Sequence, residues 1–477
     1  MKIDNLINNK KISSEQYIDI VDPGRNEVVV AKVAQGTVED AENAVNCAHN
    51  AFIHWRNLNI DERLDYVGKA ASVLEQSIPE LSKLLAHENG ALYSETLQDF
   101  GPGVGIIQFT MGLAKPFLSP EIIEDQSVRI EIEKMPRGVV TAIIPWNMPI
   151  VLTMMKLAPA LLTGNTIVVK PSPFAPAALT EALSRMASVL PPGVINVVNG
   201  GGDVGQTLTE HRLVRKISFT GGGATSAKIM ASAGKTAKNV TLELGGNDPA
   251  IILEDAEPSD VVPKLVRGMF TRSGQICFAV KRVYLPRNRF DEFFEAIVDQ
   301  VDKIKVGHCS NAEATMGPVN NENQFKQVAD LIAQARESGA DVLELGQKLD
   351  EKGWENGYFI RPHLVKNIDN NAPLVCCEQF GPVVPIIPYD SIDQVVKYAN
   401  ETELGLCSSV WSQSTQKAVE VARQIEAGTT FINSHNLDSV DPRMPFGGVK
   451  QSGLGREFTE LSLADFIEYH AIKYDRV

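Results

Sequence analysis

The chain has 477 residues, of which 44% are hydrophobic and 22% charged, so it has the composition of a globular protein that is too long for one compact core. Its net charge of -14 argues against a nucleic acid partner, because phosphate binding needs clustered cations. Residues 1–16 carry no apolar signal segment, and we therefore expect a cytoplasmic protein of two or three domains.

The first clear element is a helix over residues 37–55. Thr37 and Asp40 have the spacing of a capping box at its start. Apolar residues then recur at the spacing of one helical face, at Ala41, Ala44, Val45, Ala48, Phe52 and Trp55.

Residues 126–136, QSVRIEIEKMP, alternate apolar and charged side chains with period two. This pattern is typical of an antiparallel strand with one solvent-facing side. The stretch DFIEYHAIKYD at residues 465–475 is a candidate partner strand. A ribbon of this kind, standing apart from the other elements, suits a contact between copies of the chain.

The apolar stretch at residues 138–155 is long enough to suggest a membrane span. Pro145, Asn147 and Pro149 interrupt it, and prolines would break a helix and leave backbone groups unpaired in lipid. We therefore predict a buried strand, a tight loop and a packed helix, with no membrane association.

Short β-branched runs alternate with helical segments over most of the remaining chain. The runs include VVTAII, TIVVK, INVVNG, KISFTG, VTLELGG and PAIIL, and a second alternating block covers about residues 250–435. The pattern predicts an α/β protein with two doubly wound parallel-sheet units that join near VTLELGG.

The six cysteines have no repeated spacing, which argues against a disulfide framework. Cys376 and Cys377 are adjacent, but no second pair or nearby histidine completes a metal site, and we expect the protein to hold no metal.

Two glycine loops follow strands. Gly200, Gly202 and Gly205 form a G-x-G-x-x-G pattern, although the acidic residue expected about 20 residues later is missing. The second loop, Gly221–Gly223, opens a helix whose N-terminus suits a pyrophosphate. The alternative is that both are structural turns.

Four polar or nucleophilic residues stand at strand ends or in rigid loops. Glu243 is a candidate general base, Asn147 a candidate oxyanion donor, Lys170 a candidate ribose or phosphate ligand and Cys277 a candidate nucleophile. Taken singly, each also fits a structural explanation, such as a solvated side chain, a turn residue or a small core residue.

Together these motifs resemble the aldehyde dehydrogenase superfamily, of the NAD(P)-dependent type that does not acylate coenzyme A. The matching motifs in chain order are PWN, KPSP, FTGGG, ELGG, GQIC, EQFGPV and PFGGVKQSGLGRE, and the match covers nearly the whole chain. The resemblance implies a Rossmann-like cofactor domain at residues 1–117 and 137–244, a catalytic domain at 245–447 and an oligomerisation ribbon at 118–136 and 448–477. It also implies a homodimer or a homotetramer.

The resemblance assigns a role to each catalytic candidate. Cys277 would attack the aldehyde as a thiolate, and its backbone N–H, together with the amide of Asn147, would hold the oxyanion. Hydride transfer to the nicotinamide would leave a thioester, and Glu243 would activate the water that hydrolyses it. Lys156 and Glu457 match a pair that would help to relay protons.

The resemblance also implies positions that contact cofactor and substrate. The implied cofactor residues are Ile143, Pro145, Trp146, Lys170, Ser172, Gly202, Phe219, Gly221, Gly222, Leu244, Glu378 and Phe380. The implied substrate residues are Met148, Met155, Ile276, Phe278 and Phe446, whose apolar character favours a hydrophobic aldehyde. The alternative is that some of these five are plain core residues, and Arg272 and His435 leave room for a polar end of the substrate.

Two positions depart from the family pattern. Pro173 stands where many strictly NAD-dependent members carry a glutamate that grips the ribose hydroxyls, and Ser226 replaces a glycine of the second loop. We therefore expect a relaxed choice between NAD and NADP, with NAD slightly favoured. The alternative functions are a coenzyme A-acylating aldehyde dehydrogenase and a catalytically silent binding protein with this fold.

Overall fold

A computed structural model of the chain describes residues 1–349, 351 and 353–475. The elements of the first half are β1 (Lys2–Ile3), β2 (Asn5–Ile7), β3 (Lys10–Ile12), β4 (Tyr17–Asp22), β5 (Arg25–Ala34), α1 (Val38–Trp55), α2 (Ile60–Asn89), α3 (Tyr93–Leu118), β6 (Glu121–Glu124), β7 (Val128–Pro136), β8 (Val139–Ile143), α4 (Pro149–Leu162), β9 (Thr166–Lys170), α5 (Ala177–Ala187), β10 (Ile195–Val197), α6 (Gly202–Glu210), β11 (Val214–Thr220), α7 (Gly223–Gly234) and β12 (Asn239–Glu243).

The elements of the second half are β13 (Asp248–Ile252), α8 (Pro258–Phe270), β14 (Val280–Pro286), α9 (Phe290–Val301), β15 (Lys305–Val306), α10 (Glu322–Glu337), β16 (Asp341–Glu344), β17 (Gln347–Lys348), β18 (His363–Lys366), α11 (Pro373–Cys376), β19 (Val383–Tyr389), α12 (Ile392–Asn400), β20 (Leu404–Gly405), β21 (Cys407–Trp411), α13 (Thr415–Ala422), β22 (Thr429–Ile432), β23 (Val449–Lys450), β24 (Gly453–Leu454), α14 (Thr459–Asp465) and β25 (Ile467–Asp475).

Two large sheets form the framework of the molecule. The predicted α/β class is confirmed. The first has the order β24-β12-β11-β8-β9-β10-β2-β3, and its five central strands are parallel. The second has the order β16-β18-β19-β14-β13-β21-β22, and is parallel from β18 to β22. The chain passes from the first sheet to the second between β12 and β13.

The first sheet is doubly wound, which fixes where a ligand would bind. The chain runs outward from β8 through β9 to β10, and then returns to the other side of β8 to form β11 and β12. The strand order therefore reverses between β8 and β11. In open α/β sheets, ligands bind in the crevice outside the carboxyl ends of the strands at such a reversal.

Several predicted elements are confirmed in detail. Thr37 and Asp40 form the capping box of α1, whose buried residues are the six apolar positions of the predicted face. The apolar stretch at 138–155 is the strand β8, a loop and most of α4. Among the helices of the described residues, none is both long and apolar enough to cross a membrane.

The predicted ribbon is also present. Strand β25 pairs with β7 in antiparallel register over nine positions, from Ile467 opposite Pro136 to Asp475 opposite Val128, and β6 pairs with the other edge of β7. Before the chain enters this ribbon, β24 pairs with the end of β12, so that Gly453 lies opposite Glu243.

Candidate active site

A cavity of about 270 Å³ opens at the carboxyl ends of β8, β11 and β12. Ten of the predicted site residues line it: Pro145, Trp146, Asn147, Gly221, Gly222, Glu243, Leu244, Cys277, Glu378 and Phe380. These residues come from five segments that are far apart in the chain. The strand reversal gathers three of these segments, and the segments that precede β14 and β19 of the second sheet add Cys277, Glu378 and Phe380.

A second cavity, of about 660 Å³, lies beyond the end of β9 and between α6 and α7. Ile143, Lys170 and Gly202 line it, as does Pro173. Two predicted cofactor residues line neither cavity. Ser172 is largely buried and accepts a hydrogen bond from the backbone N–H of Phe174 through its hydroxyl oxygen, and Phe219 is buried beneath the glycine loop.

The second glycine loop would allow a ligand to approach its backbone closely. A Cβ placed on Gly221 would lie 2.5 Å from the ring of Phe219, so only glycine fits at this position. Helices α6 and α7 both begin at the loops with glycine caps that supply no side-chain acceptor. Their first backbone N–H groups therefore need another partner, and a phosphate suits that position.

The nucleophile candidate sits in a tightly held loop. Arg272, Ser273 and Gly274 have φ values of 52°, 57° and 72°, in the left-handed region that side-chain-bearing residues rarely adopt. The hydroxyl of Ser273 donates to the carbonyl oxygen of Gly317 at 2.8 Å. The buried ammonium of Lys281 donates to the carbonyl oxygen of Ile276 at 2.5 Å. These contacts fix the backbone at Ser273 and at Ile276, directly before Cys277.

The amide of Asn147 reaches the same loop. It is buried, and its Nδ2 donates to the carbonyl oxygen of Gln275 at 3.0 Å. A side-chain amide carries two N–H donors, so one remains for a reacting oxygen. The position is rigid because Asp99 accepts from the backbone N–H of Val151 at 2.7 Å and so caps the helix α4 that follows.

Glu243 is a buried carboxylate with both oxygens unpaired among the described residues. Burial, and then the charge of Glu457, raise the pKa of Glu243 well above its usual value. The carboxylate of Glu457 itself forms a buried ion pair with Lys156, with 2.6 Å between Nζ and Oε1. The structure thus brings the predicted Lys156–Glu457 pair together next to the candidate base.

The remaining ionisable groups share this apolar setting. Burial raises the pKa of the Cys277 thiol, and Glu243 and Glu378 raise it further. Burial also raises the pKa of Glu378 to about 7, and its Oε1 has no partner among the described residues. A thiol with a raised pKa needs a base to become a nucleophile, and Glu243 lines the same cavity.

The predicted substrate residues gather on one side of the nucleophile. Met148, Met155, Ile276, Phe278 and Phe446 belong to one buried apolar cluster, and Cys277 packs against it. None of the five is among the residues that line the 270 Å³ cavity. The rings of Phe278 and Phe446 meet edge to face, with 5.7 Å between their centres.

Arg272 and His435 are occupied by the protein itself. The guanidinium of Arg272 donates to the backbone of Glu95 and Asn147, and its backbone N–H donates to the Glu95 carboxylate. His435 is fully buried and contacts the hydroxyl of Ser409 and the carbonyl oxygen of Phe278. Both side chains hold the backbone around the site in place, and they are not free to bind a polar end of a substrate.

Sequence reasoning missed several residues of the site. Leu152, Thr220, Gly245, Gln324 and Gln327 also line the cavity. Gln324 donates to the carbonyl oxygens of Gln379 and Phe380 at 3.0 Å each, and so fixes the segment that carries Glu378. Such glutamines leave no spacing signal, because they act through backbone contacts made only in the folded chain.

Comparison with known proteins decides the family. Residues 10–472 match the model of the aldehyde dehydrogenase family. An aldehyde dehydrogenase from Agaricus bisporus is 35% identical over 462 residues, which cover 95% of this chain and 91% of the relative.

The chain belongs to the aldehyde dehydrogenase family.

Solved structures agree with this assignment. A betaine aldehyde dehydrogenase from Staphylococcus aureus, in complex with NAD+, has a TM-score of 0.94 and 31% identity, over 99% of this chain and 97% of that one. A 3,6-anhydro-L-galactose dehydrogenase in complex with NADP (NAP) has a TM-score of 0.95 and 29% identity, over 99% and 100%. The predicted family is confirmed, and this aldehyde dehydrogenase is an oxidoreductase.

The pH dependence of this aldehyde dehydrogenase tests the coupling between Glu457 and Glu243. Glu457→Gln removes a charge that raises the pKa of Glu243 and leaves the charge of Lys156, which lowers it. A base is active above its pKa and is lost as the pH falls through it. We therefore expect the acidic limb of kcat, scaled to its own plateau, to move to lower pH.

The matched control is Glu460→Gln, which removes the same charge from an exposed position three residues further on. It should leave the limb in place. If the acidic limb of the kcat profile of Glu457→Gln did not move, or moved to higher pH, that result would contradict the coupling between Glu457 and Glu243.

Proposed function

We propose that this aldehyde dehydrogenase oxidises an apolar aldehyde to the carboxylic acid, with NAD or NADP as the hydride acceptor. The single observation that carries the proposal is the cavity that Cys277, Glu243 and Asn147 share. It combines a nucleophile, an unpaired buried carboxylate and an amide donor, which are the three groups that thioester chemistry at a carbonyl needs.

The reaction begins with the sulfur of Cys277. Its proton must leave before attack, and the unpaired carboxylate of Glu243 is a base in the same cavity. The carbon–sulfur bond then forms, and the carbonyl oxygen becomes an oxyanion. The free N–H of Asn147 stabilises that charge, and the loss of one such donor typically costs about 2.7–4 kcal/mol of barrier.

A dinucleotide fits the two cavities. The uncapped helix starts suit the phosphates, Lys170 suits a ribose hydroxyl, and the unpaired buried Oε1 of Glu378 suits the second ribose. Trp146 and Phe380 stand edge to face in the wall of the smaller cavity, with 5.4 Å between their ring centres. A nicotinamide held there would supply the acceptor for the hydride of the tetrahedral carbon.

Glu243 then completes the cycle. A thioester remains on Cys277. Once the proton from the thiol has left Glu243, the carboxylate takes a proton from the water that attacks the thioester. The carbon–sulfur bond breaks, and the acid leaves with the thiolate restored. Lys156 and Glu457 are placed to pass the proton onward, because their ion pair is buried and Glu457 is electrostatically coupled to the base.

The apolar cluster beside Cys277 supports a hydrophobic substrate. The five predicted substrate residues are each at most 8% exposed, and they pack in one apolar cluster that also contacts Cys277. Methionines adapt their shape, so a range of aldehydes should fit. The proposal is tested by following nicotinamide absorbance with aliphatic, aromatic, terpenoid and charged aldehydes. Higher kcat/KM for a charged aldehyde than for its apolar counterpart would contradict it.

The larger cavity supports relaxed cofactor choice. Lys170, Lys228 and Lys235 line it, and its one acidic lining residue among those described, Glu210, pairs with Lys235 at 3.3 Å. We expect Pro173→Glu to lower kcat/KM for NADP by at least about tenfold, relative to NAD, because the new carboxylate repels a 2′-phosphate.

Phe174→Glu is the control for Pro173→Glu. It adds the same charge one residue later, at an exposed position outside the cavity, and should leave the cofactor ratio within about twofold. An unchanged ratio in Pro173→Glu would show that position 173 does not face the phosphate. In the parent, NAD preference above about a thousandfold, roughly 4 kcal/mol, would refute relaxed choice.

We also propose that the ribbon assembles the protein into a dimer or a tetramer. Ile122, Ile123, Tyr469, Ile472 and Tyr474 expose between 39% and 63% of their surface on this small antiparallel sheet. We expect Ile472→Asp to give monomers or smaller assemblies in light scattering coupled to gel filtration, because a buried unpaired charge costs several kcal/mol per contact.

Ile53→Asp is the control for the ribbon variant. Ile53 is 50% exposed on helix α1, away from the ribbon, and its replacement should not change the mass in solution. A parent protein that is monomeric at all concentrations would contradict the assembly proposal.

The coenzyme A-acylating alternative is disfavoured by Glu243. That reaction needs a thiol as the acyl acceptor and has no use for a buried water-activating base. A coenzyme A thioester formed on adding coenzyme A would overturn the hydrolytic proposal. The catalytically silent alternative predicts no nicotinamide signal with any aldehyde.

A further inference from the structure

A second cluster of reactive side chains lies outside both cavities. Asp22 ends strand β4, His87 lies in the last turn of α2, and His308 and Cys309 follow strand β15. Their four ligand atoms all lie within 4.8 Å of one another. Three segments that are distant in the sequence therefore direct an aspartate, two imidazoles and a thiol at one point.

The four side chains of this cluster face one another at short distances. The carboxylate Oδ2 of Asp22 lies 2.9 Å from Nδ1 of His87 and 2.9 Å from Nε2 of His308. The Cys309 sulfur lies 3.7 Å from Nδ1 of His87 and 3.8 Å from Nε2 of His308. The sulfur therefore shares both nitrogens with the carboxylate, and all three kinds of ligand atom converge on the same space.

The distances are close to those of a tetrahedral zinc site. Zinc–nitrogen bonds of about 2.0 Å and zinc–sulfur bonds of about 2.3 Å separate neighbouring ligand atoms by about 3.3–3.6 Å. The sulfur–nitrogen distances exceed this range by a few tenths of an ångström, and the oxygen–nitrogen distances fall short of it by a similar amount. These are four of the six ligand-atom pairs, and the other two pairs lie within 4.8 Å, so side-chain movements of about an ångström would place all four atoms around one ion.

The surroundings support such a site. Asp22 and His308 are almost fully buried, whereas His87 is 43% exposed, which leaves a path for an ion. The second oxygen of Asp22 accepts from the backbone N–H of Gly24 at 2.9 Å. Nδ1 of His308 lies 2.7 Å from the hydroxyl of Ser310 and also faces that residue's backbone N–H at 3.1 Å.

Outer contacts of this kind fix the orientation of metal-binding side chains. With an ion on Nε2 of His308, the proton of that ring sits on Nδ1 and donates to the Ser310 hydroxyl, in place of the present backbone contact.

We propose that Asp22, His87, His308 and Cys309 bind one zinc ion. A thiolate and a carboxylate balance its two positive charges, and the two neutral imidazoles complete a closed site with no open position for substrate. The site is therefore structural. It ties the N-terminal sheet and the end of α2 to the loop after β15, which belongs to the second half of the chain.

The test uses Co²⁺ as a spectroscopic probe in the full chain. Cys277→Ser serves as the parent, so that the nucleophile cannot bind the metal, and the protein is first treated with a chelator and desalted. We expect one Co²⁺ per chain, with intense visible bands of tetrahedral geometry and a near-ultraviolet thiolate charge-transfer band. One equivalent of Zn²⁺ should remove both, and should raise the Tm.

Variants then assign the ligands. Cys309→Ser in the same background should abolish the charge-transfer band and the Tm increase, whereas Cys376→Ser, at an exposed cysteine outside the cluster, should keep both. Asp22→Asn retains the oxygen that binds Gly24 and should weaken zinc binding at least about tenfold.

Two results would overturn the site. One is a parent protein that shows no charge-transfer band with Co²⁺, a measurement that does not depend on any variant folding. The other is a band that survives in Cys309→Ser.

Discussion

Cys277→Ala is expected to lower kcat for aldehyde oxidation by about four orders of magnitude or more, because the removal of a nucleophile eliminates the covalent route. The sulfur lines the smaller cavity together with Glu243 and Asn147. Alanine fits the same space, so the variant should still bind the dinucleotide. Quenching of tryptophan fluorescence measures this binding.

Cys376→Ala makes the same chemical change at an exposed cysteine and should keep parental turnover. If Cys277→Ala retained turnover close to that of the parent, the sulfur would have no part in the chemistry.

Glu243→Gln is expected to separate the two halves of the reaction. A lost general base typically costs about 10²–10⁴-fold, so steady-state kcat should fall by that amount. The thiol can also lose its proton to solvent before the aldehyde binds, so the first turnover should survive as a burst of reduced cofactor close to one per active site. The acyl group should then remain on Cys277, where intact-mass measurement detects it.

Hydroxylamine supplies an internal control for Glu243→Gln. As a strong nucleophile it attacks a thioester without help from a base, and it should restore turnover to the variant. A fall in kcat with no burst would place Glu243 at the activation of the thiol, before the hydride leaves.

The sequence was most informative where local rules decide the structure. The capping box of α1 and the strand ends at Lys170 and Glu243 follow from periodicity and turn residues, and the structure places them as predicted. The ribbon was visible because its period-two pattern differs from the continuous apolar runs of buried parallel strands.

Positions fixed by tertiary packing were harder to predict. Arg272 and His435 looked available for substrate, but each is held by buried hydrogen bonds to residues far away in the chain. The five residues predicted to contact the substrate do pack in one apolar cluster, but their role stays a prediction, because their position relative to the cavity depends on how α4 packs against the cysteine loop.

The expectation that the protein holds no metal stays a prediction, and the proposed zinc site shows why the sequence alone could not decide it. That expectation rested on spacing around the adjacent pair Cys376 and Cys377, and no local pattern links Asp22 to His308, which are 286 positions apart. Metal ligands that converge from three segments leave no spacing for sequence reading to detect.

The left-handed run before the nucleophile has a consequence for engineering. Arg272 and Ser273, with φ of 52° and 57°, each hold a conformation that costs of the order of 1–3 kcal/mol. Glycine at position 273 would relieve part of that cost and raise thermal stability. It would also remove the hydrogen bond from the Ser273 hydroxyl to Gly317, and the segment that positions the Cys277 sulfur would become more mobile. Selection for thermal stability and selection for turnover should therefore favour different residues at these positions.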